Sequence, residues 1–200
     1  MAGDSGTGEA ARIADVRERI LATASELFYR EGVRAIGVDL IVERAGVAKT
    51  SLYRHFRTKD DLVEAFLQRE DLDFWRHWDD AARRHPADPA AELDAQLDWM
   101  GERIARPGYR GCPQINVAAE FSDPAHPARM VALAHKRELR RRLAGIAGRI
   151  GVGDPAAFAS RLALVIDGAF TSAPLLVGED PASVLKDVAR SLLAASARAR

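Results

Sequence analysis

Gly46 restricts what this chain can become more than any other residue. It closes a short apolar-striped segment carrying Val38, Ile41, Val42 and Ala45, and a second short segment, with Leu52 and Phe56 on one face, starts within three residues. Neither segment can hold a helix alone, because isolated helices below about 12–15 residues are marginal in water. Glycine is the residue best able to adopt the left-handed turn through which a chain leaves one helix and enters another at a steep angle. Ile41 and Val42 before the turn, Val47 in its angle and Leu52 beyond it must then be apolar for two short helices to cross. Upstream, Ile13, Val16, Ile20, Ala24, Leu27 and Phe28 recur at three- and four-residue spacing up to Gly32 and define one more helix. Three short helices, the last two joined by a glycine turn, have the layout of a helix-turn-helix between Val38 and Phe56.

The remaining chain continues the helical pattern. Thr58 followed by Asp60 and Asp61 reads as the capped, acidic start of a fourth helix reaching Arg84. Breaks at His85 to Pro89, Pro107 to Gly111, Asp123 to Pro127 and Gly151 to Asp154 separate a fifth helix striped by Leu93, Leu97, Met100 and Ile104 from four others. These are a brief one from Gln114 to Phe121, a seventh from about Ala128 to Ile150, an eighth near Pro155 to Val177 and a ninth near Pro181 to Ala197. No segment alternates with period two, so strands are not expected. The fold class is all-α with about nine helices. Residues 1–11, rich in Gly, Ser and Asp, form a disordered tail; 12–58 form the helix-turn-helix domain and 59–200 a larger helical core.

Formal net charge is zero, so binding of nucleic acid has to rest on a local patch. From Arg44 to Lys59 the chain carries Arg44, Lys49, Arg54, Arg57 and Lys59 and no acidic residue. The face of the third helix opposite Leu52 holds Lys49, Thr50, Ser51, Tyr53, Arg54 and His55, all able to donate hydrogen bonds. Such a face suits DNA: phosphate contacts set register, and one or two side chains, Lys49 and Ser51 by position, with Arg54 as a third candidate, reach base edges in the major groove. Tyr53, His55 and Lys59 suit phosphates. A solvated basic face has the same composition.

The run IVERAGVAKTSLYRHFRTKDDLVEAF, Ile41 through Phe66, resembles the signature of the TetR family of bacterial transcriptional regulators. Ala45-Gly46-Val47, Leu52-Tyr53, His55-Phe56 and Lys59-Asp60 stand at the family's spacing. The resemblance implies a three-helix DNA-binding domain on a ligand-binding and dimerising core, a homodimer reading palindromic double-stranded operator DNA, and repression relieved by a small-molecule effector. It assigns Thr50 and Tyr53 to phosphates, Ser51 to the base-facing surface and Lys59 to a backbone contact. Two features depart from the pattern: Ile36 and Gly37 stand where hydroxyl residues usually cap the second helix and touch phosphate, and Val42 replaces a usual alanine.

The C-terminal core says less. An effector cavity would be apolar with a few convergent polar groups. Candidate walls are Phe66, Trp75, Trp99, Met100, Ile115, Asn116, Phe121 and Phe170, and candidate polar groups are Asn116, Glu120, His135 and Asp167; equally, the aromatics fill core. Asp167, inside the apolar run Leu162 to Leu176, needs a partner, found either in the cavity or across a dimer interface. Surplus apolar residues on the last two helices, including Leu164 and Val184, place the homodimer interface there. The basic run Arg137, Arg140, Arg141 and Arg142 reads as the solvated face of the seventh helix. Two alternatives stand beside effector sensing: oxidant or electrophile sensing through Cys112 beside Arg110, and a small helical enzyme using Asp167, Glu120 or His135. No nucleophile, phosphate loop or metal spacing accompanies the latter, so the chain is read as no enzyme, without cofactor or metal. A single cysteine fits a reducing compartment, the cytoplasm, and no run of eighteen uninterrupted apolar residues suggests a membrane span.

Overall fold

The computed structural model describes residues 5–175 and 180–198. Among them the helices are α1 (Ser5–Glu31), α2 (Val38–Ala45), α3 (Lys49–His55), α4 (Lys59–Arg84), α5 (Pro89–Ile104), α6 (Pro113–Glu120), α7 (Pro127–Ile150), α8 (Pro155–Ser172) and α9 (Pro181–Arg198), with no strand. The all-α expectation is met, and so are most breaks. Two ends differ. Helix α1 already covers residues 5–11, expected in a disordered tail, in keeping with the helix propensity of Glu9, Ala10 and Ala11. Residues 1–4 lie outside the described residues. Helix α8 stops at Ser172 and tightens into a 3-10 turn, Ala173–Leu175, since Pro174 has no N–H to donate to the Phe170 carbonyl and continue the ladder. Val177, the expected end, lies outside the described residues.

The chain divides into two compact units. The first contains residues up to Glu70 together with Asn116–Val131, so it extends past the boundary expected at 58/59 and recruits the end of α6 and the start of α7. Its core joins Ile20, Ala24 and Phe28 of α1 to Ile36, Ile41, Leu52, Leu62 and Phe66, with Val117 and Ala128 added from the distant segment. Phe28 and Phe66 rings meet at 5.9 Å.

The second unit contains Asp71–Ile115 and the chain from Ala132 onward. Phe74 and Trp78 of α4, Leu93, Leu97, Trp99 and Met100 of α5, Leu139, Leu143 and Ile146 of α7, and Phe158, Leu162, Ile166 and Phe170 of α8 form its core. Pro155–Leu175 is long and apolar enough to cross a membrane by length and composition, although Ser160, Arg161 and Asp167 interrupt its apolar run. Its buried face in that core and the ion pair of Asp167 with Lys136 are how an interior helix meets the same criteria.

Helix α9 passes close to α5 at Gly101, where a Cβ would lie 2.4 Å from Ala182 Cβ. On α7, Glu138 accepts from Arg141 (2.7 Å) and Arg142 (2.7 Å), while the Arg142 guanidinium lies 4.5 Å over the Trp75 ring and also reaches Asp79. The basic run is therefore only partly a solvated face: Arg142 packs as well as pairs. The Arg141 hydrogen bond, with help from Arg142 and against partial burial, holds the Glu138 carboxyl at about 2 instead of 4.5.

Two outcomes are expected. Gly101→Ala should destabilise the protein by about 1–3 kcal/mol by forcing α9 outward, whereas Gly145→Ala, where a Cβ meets nothing within 4 Å, should be neutral or stabilising by up to about 1 kcal/mol; urea unfolding checks both. Because the folded Glu138 value lies below the unfolded one, this group's stabilisation is complete above about pH 4.5 and fades as pH falls towards 2. The stability gap between parent and Glu138→Gln should accordingly narrow through that window, and be smaller in high salt because the pair is partly exposed.

Candidate nucleic-acid interface

Gly46 adopts φ 62° and ψ 42°, the left-handed conformation expected for it. Its N–H donates to Glu43 O, and Val47 N–H donates to Val42 O at 3.1 Å, so the end of α2 is satisfied while the chain turns. Ile41 and Leu52 are fully buried and Phe56 nearly so, with the Arg17 guanidinium 5.0 Å over its ring. That burial sets which face of α3 is left outside. Lys49, Thr50, Tyr53 and Arg54 are exposed there, and Ser51 and His55 are half-buried. Tyr53 is 44% exposed, leaving its hydroxyl and ring open to a partner.

Lys49 is not free. Its Nζ lies 2.6 Å from Asp39 Oδ1, and this hydrogen bond and charge raise its pKa. The acid-free stretch from Arg44 to Lys59 hid this neighbour, because the crossing of α2 over α3 brings residue 39 to residue 49. Arg44 shares a polar surface cleft with Thr23, Glu26, Leu27, Arg30 and Glu31 of α1. Lys59, half-buried at the start of α4, lies 6.0 Å over the Phe28 ring; burial lowers its pKa, and the charges of Glu120 and Asp60 oppose that. Thr58 caps α4 as expected, reciprocally with Asp61: Asp61 N–H donates to Thr58 Oγ1 (3.0 Å) and Thr58 N–H to Asp61 Oδ2 (3.1 Å). Ile36 is a core residue at 1% exposure, and Gly37 caps α2 without a side-chain hydrogen bond.

The residues offered as effector walls fall into both units, and each is described within its own. In the first, Phe66 is core, Phe121 stacks on His126 at 3.8 Å, and the Glu120 carboxylate accepts from Val33 N–H (2.9 Å) and Arg34 N–H (2.7 Å). Asn116 belongs to this unit too. In the second, His135, buried, donates from Nδ1 to Asp71 Oδ1 at 2.6 Å, and Trp75 Nε1 donates to the same oxygen at 2.8 Å. Phe74 meets both His135 (4.8 Å) and Trp99 (4.9 Å) edge-on. Met100 and Phe170 are buried in this core, and Tyr109 OH donates to Phe170 O. Asp167 has its partner within the chain, Lys136 at 2.5 Å. Lys136 Nζ also donates to the Cys112 sulfur, at 3.8 Å.

Sequence reasoning missed Phe74, Trp78, Gln96 and Lys136. The first two stand four apart on α4, and Gln96 sits inside the stripe of Leu93, Leu97 and Met100, so a helical-spacing search carried further along α4 and α5 would have found them. Gln96 Nε2 donates to Trp78 O at 2.9 Å, whereas Gln96 Oε1 and Trp99 Nε1 are buried without a hydrogen-bond partner. Among the described residues no three His, Cys, Asp or Glu side chains could hold a metal ion.

Residues 20–66 match the family model described as bacterial regulatory proteins, tetR family. The transcriptional activator FasR of Mycolicibacterium smegmatis is 49% identical over 53 residues, 26% of this chain and only 24% of FasR, so that likeness covers no more than a domain. The transcriptional regulator AcuR of Cereibacter sphaeroides is 28% identical over 172 residues, 82% of this chain and 78% of AcuR. A solved TetR-family transcriptional regulator from Streptomyces coelicolor superposes with a TM-score of 0.87 at 32% identity, covering 92% of this chain and 96% of that one. With the left-handed turn at Gly46 and the exposed face of α3 in place, the chain belongs to the TetR family of bacterial DNA-binding transcriptional regulators.

Proposed function

We propose that this protein is a homodimeric repressor that binds a palindromic operator through α3 and leaves it when a small-molecule effector enters the second unit. One observation carries the DNA-binding part: burial of Ile41 and Leu52 beneath the Gly46 turn leaves Thr50, Tyr53 and Arg54 together on the outer face of α3. In this reading Ser51 and Lys49 face bases, and Thr50, Tyr53, His55 and Lys59 hold phosphates. The effector part is supported by the aromatic cluster in which Phe74 meets Trp75, Trp99 and His135, and by the unpartnered Gln96 Oε1 and Trp99 Nε1. A molecule carrying both a donor and an acceptor would satisfy those two atoms.

Leu164 of α8 is 75% exposed and Val184 of α9 is 45% exposed, while their neighbours Leu162 and Leu185 are buried, so both helices keep an apolar face to spare. A symmetric contact between copies through α8 and α9 uses it. The protein then works without turnover or cofactor in the cytoplasm, where its DNA lies. Sensing through Cys112 is disfavoured, because this residue is buried and reactive thiols are partly exposed.

Gel shifts on the intergenic DNA beside its own gene should show sequence-specific binding that weakens with salt. Tyr53→Ala should cost roughly tenfold in affinity, the value of one charge-assisted hydrogen bond of about 1.5 kcal/mol. Equal binding to scrambled DNA would overturn the reading, and a reporter activated by the protein would overturn repression. For the dimer, Leu164→Glu should shift the species seen by analytical ultracentrifugation towards the monomer and weaken operator binding with it.

A further inference from the structure

Glu120 was offered by its sequence position as an effector ligand, yet both of its carboxylate oxygens are committed elsewhere. Oε1 accepts from Val33 N–H at 2.9 Å and Oε2 from Arg34 N–H at 2.7 Å, across 87 and 86 residues of chain. Two successive backbone amides converging on one carboxylate make an anion-binding arrangement, and both bonds are charge-assisted. The amides belong to the turn between α1 and α2, just before Ile36 enters the core and Gly37 starts α2 without a side-chain cap.

The adjoining contacts lie in the same unit. The Arg34 guanidinium is 5.9 Å over the Phe121 ring, Phe121 stacks on His126, and His126 Nε2 is 3.5 Å from Asp60 at the start of α4. The charge of Glu120 also acts on Lys59.

We infer that Glu120 is a positioning residue for DNA recognition: its carboxylate fixes the α1–α2 turn and thereby the entry of α2, which sets where α3 presents its outer face. This rests on the DNA-binding reading above and adds to it a residue that touches no DNA.

The sign of one measurement separates positioning from simple charge. Removing a carboxylate near Lys59 would by electrostatics alone tighten binding to a polyanion. Positioning requires the opposite. Glu120→Ala should bind the intergenic duplex at least about tenfold more weakly, with an unchanged slope of log affinity against log salt, since no phosphate contact is lost, and Glu120→Gln should fall between it and the parent. In DNA-free protein, hydrogen exchange at the Val33 and Arg34 amides and through α2 should accelerate in Glu120→Ala while the second unit exchanges as in the parent. Binding as tight as the parent's or tighter, or parental exchange at Val33, Arg34 and α2, would overturn the inference. Should the parent itself show no sequence preference, the DNA-binding reading fails, and the exchange data still decide whether Glu120 fixes the turn.

Discussion

Helices α2 and α3 have eight and seven residues, too few to persist in water, and they exist here because they share a core. That core is reached only by a chain that reverses tightly at Gly46, so that Ile41 from one helix and Leu52 from the next are buried against α1. Everything exposed on α3 follows as the remainder. A side chain with a Cβ at Gly46 would be strained by its φ of 62° whatever space it found. Stability and recognition are for this reason one problem in the first unit: the packing that lets the short helices form also chooses the side chains they show.

The same dependence on distant residues runs through the rest of the unit. Val117 and Ala128 add to its core and Glu120 and His126 add polar contacts, all from a segment about ninety residues downstream of α1. A boundary drawn after α3 is natural in sequence, because Thr58 starts a new helix, but Leu62, Val63, Phe66 and Leu67 of that helix are among the most buried residues of the same core. In the second unit the stripes of α5, α7 and α8 converge in the usual manner of helices with one apolar face, and the close pass at Gly101 lets α9 join them.

Helix positions, the glycine turn, the cap at Thr58 and the exposed face of α3 were legible because each is written within a few residues: periodicity, a turn residue, a hydroxyl three before a carboxylate. What was not legible needs the third dimension. Asp39 reaches Lys49, Glu120 reaches Val33, Lys136 reaches Asp167 and Arg142 covers Trp75, and only the Lys49 pair is near in sequence. Asp167 illustrates the limit well. Its need for a partner could be read from the apolar run around it, but not that the partner would be Lys136, thirty-one residues away on α7.

The ion pair between Asp39 and Lys49 bears on how such a protein would search a chromosome. A cation already holding a carboxylate gains less from any passing phosphate, since it must exchange one oxygen partner for another. On wrong sequences, where the fit is loose, that exchange offers little; where neighbouring groups dock well, the lysine can be drawn across. If the outer face of α3 reads DNA as proposed, a surface neutral at one of its own tips, on a chain of zero net charge, would draw its affinity from fit more than from attraction, which is useful where competing sites outnumber the right one by about a millionfold or more.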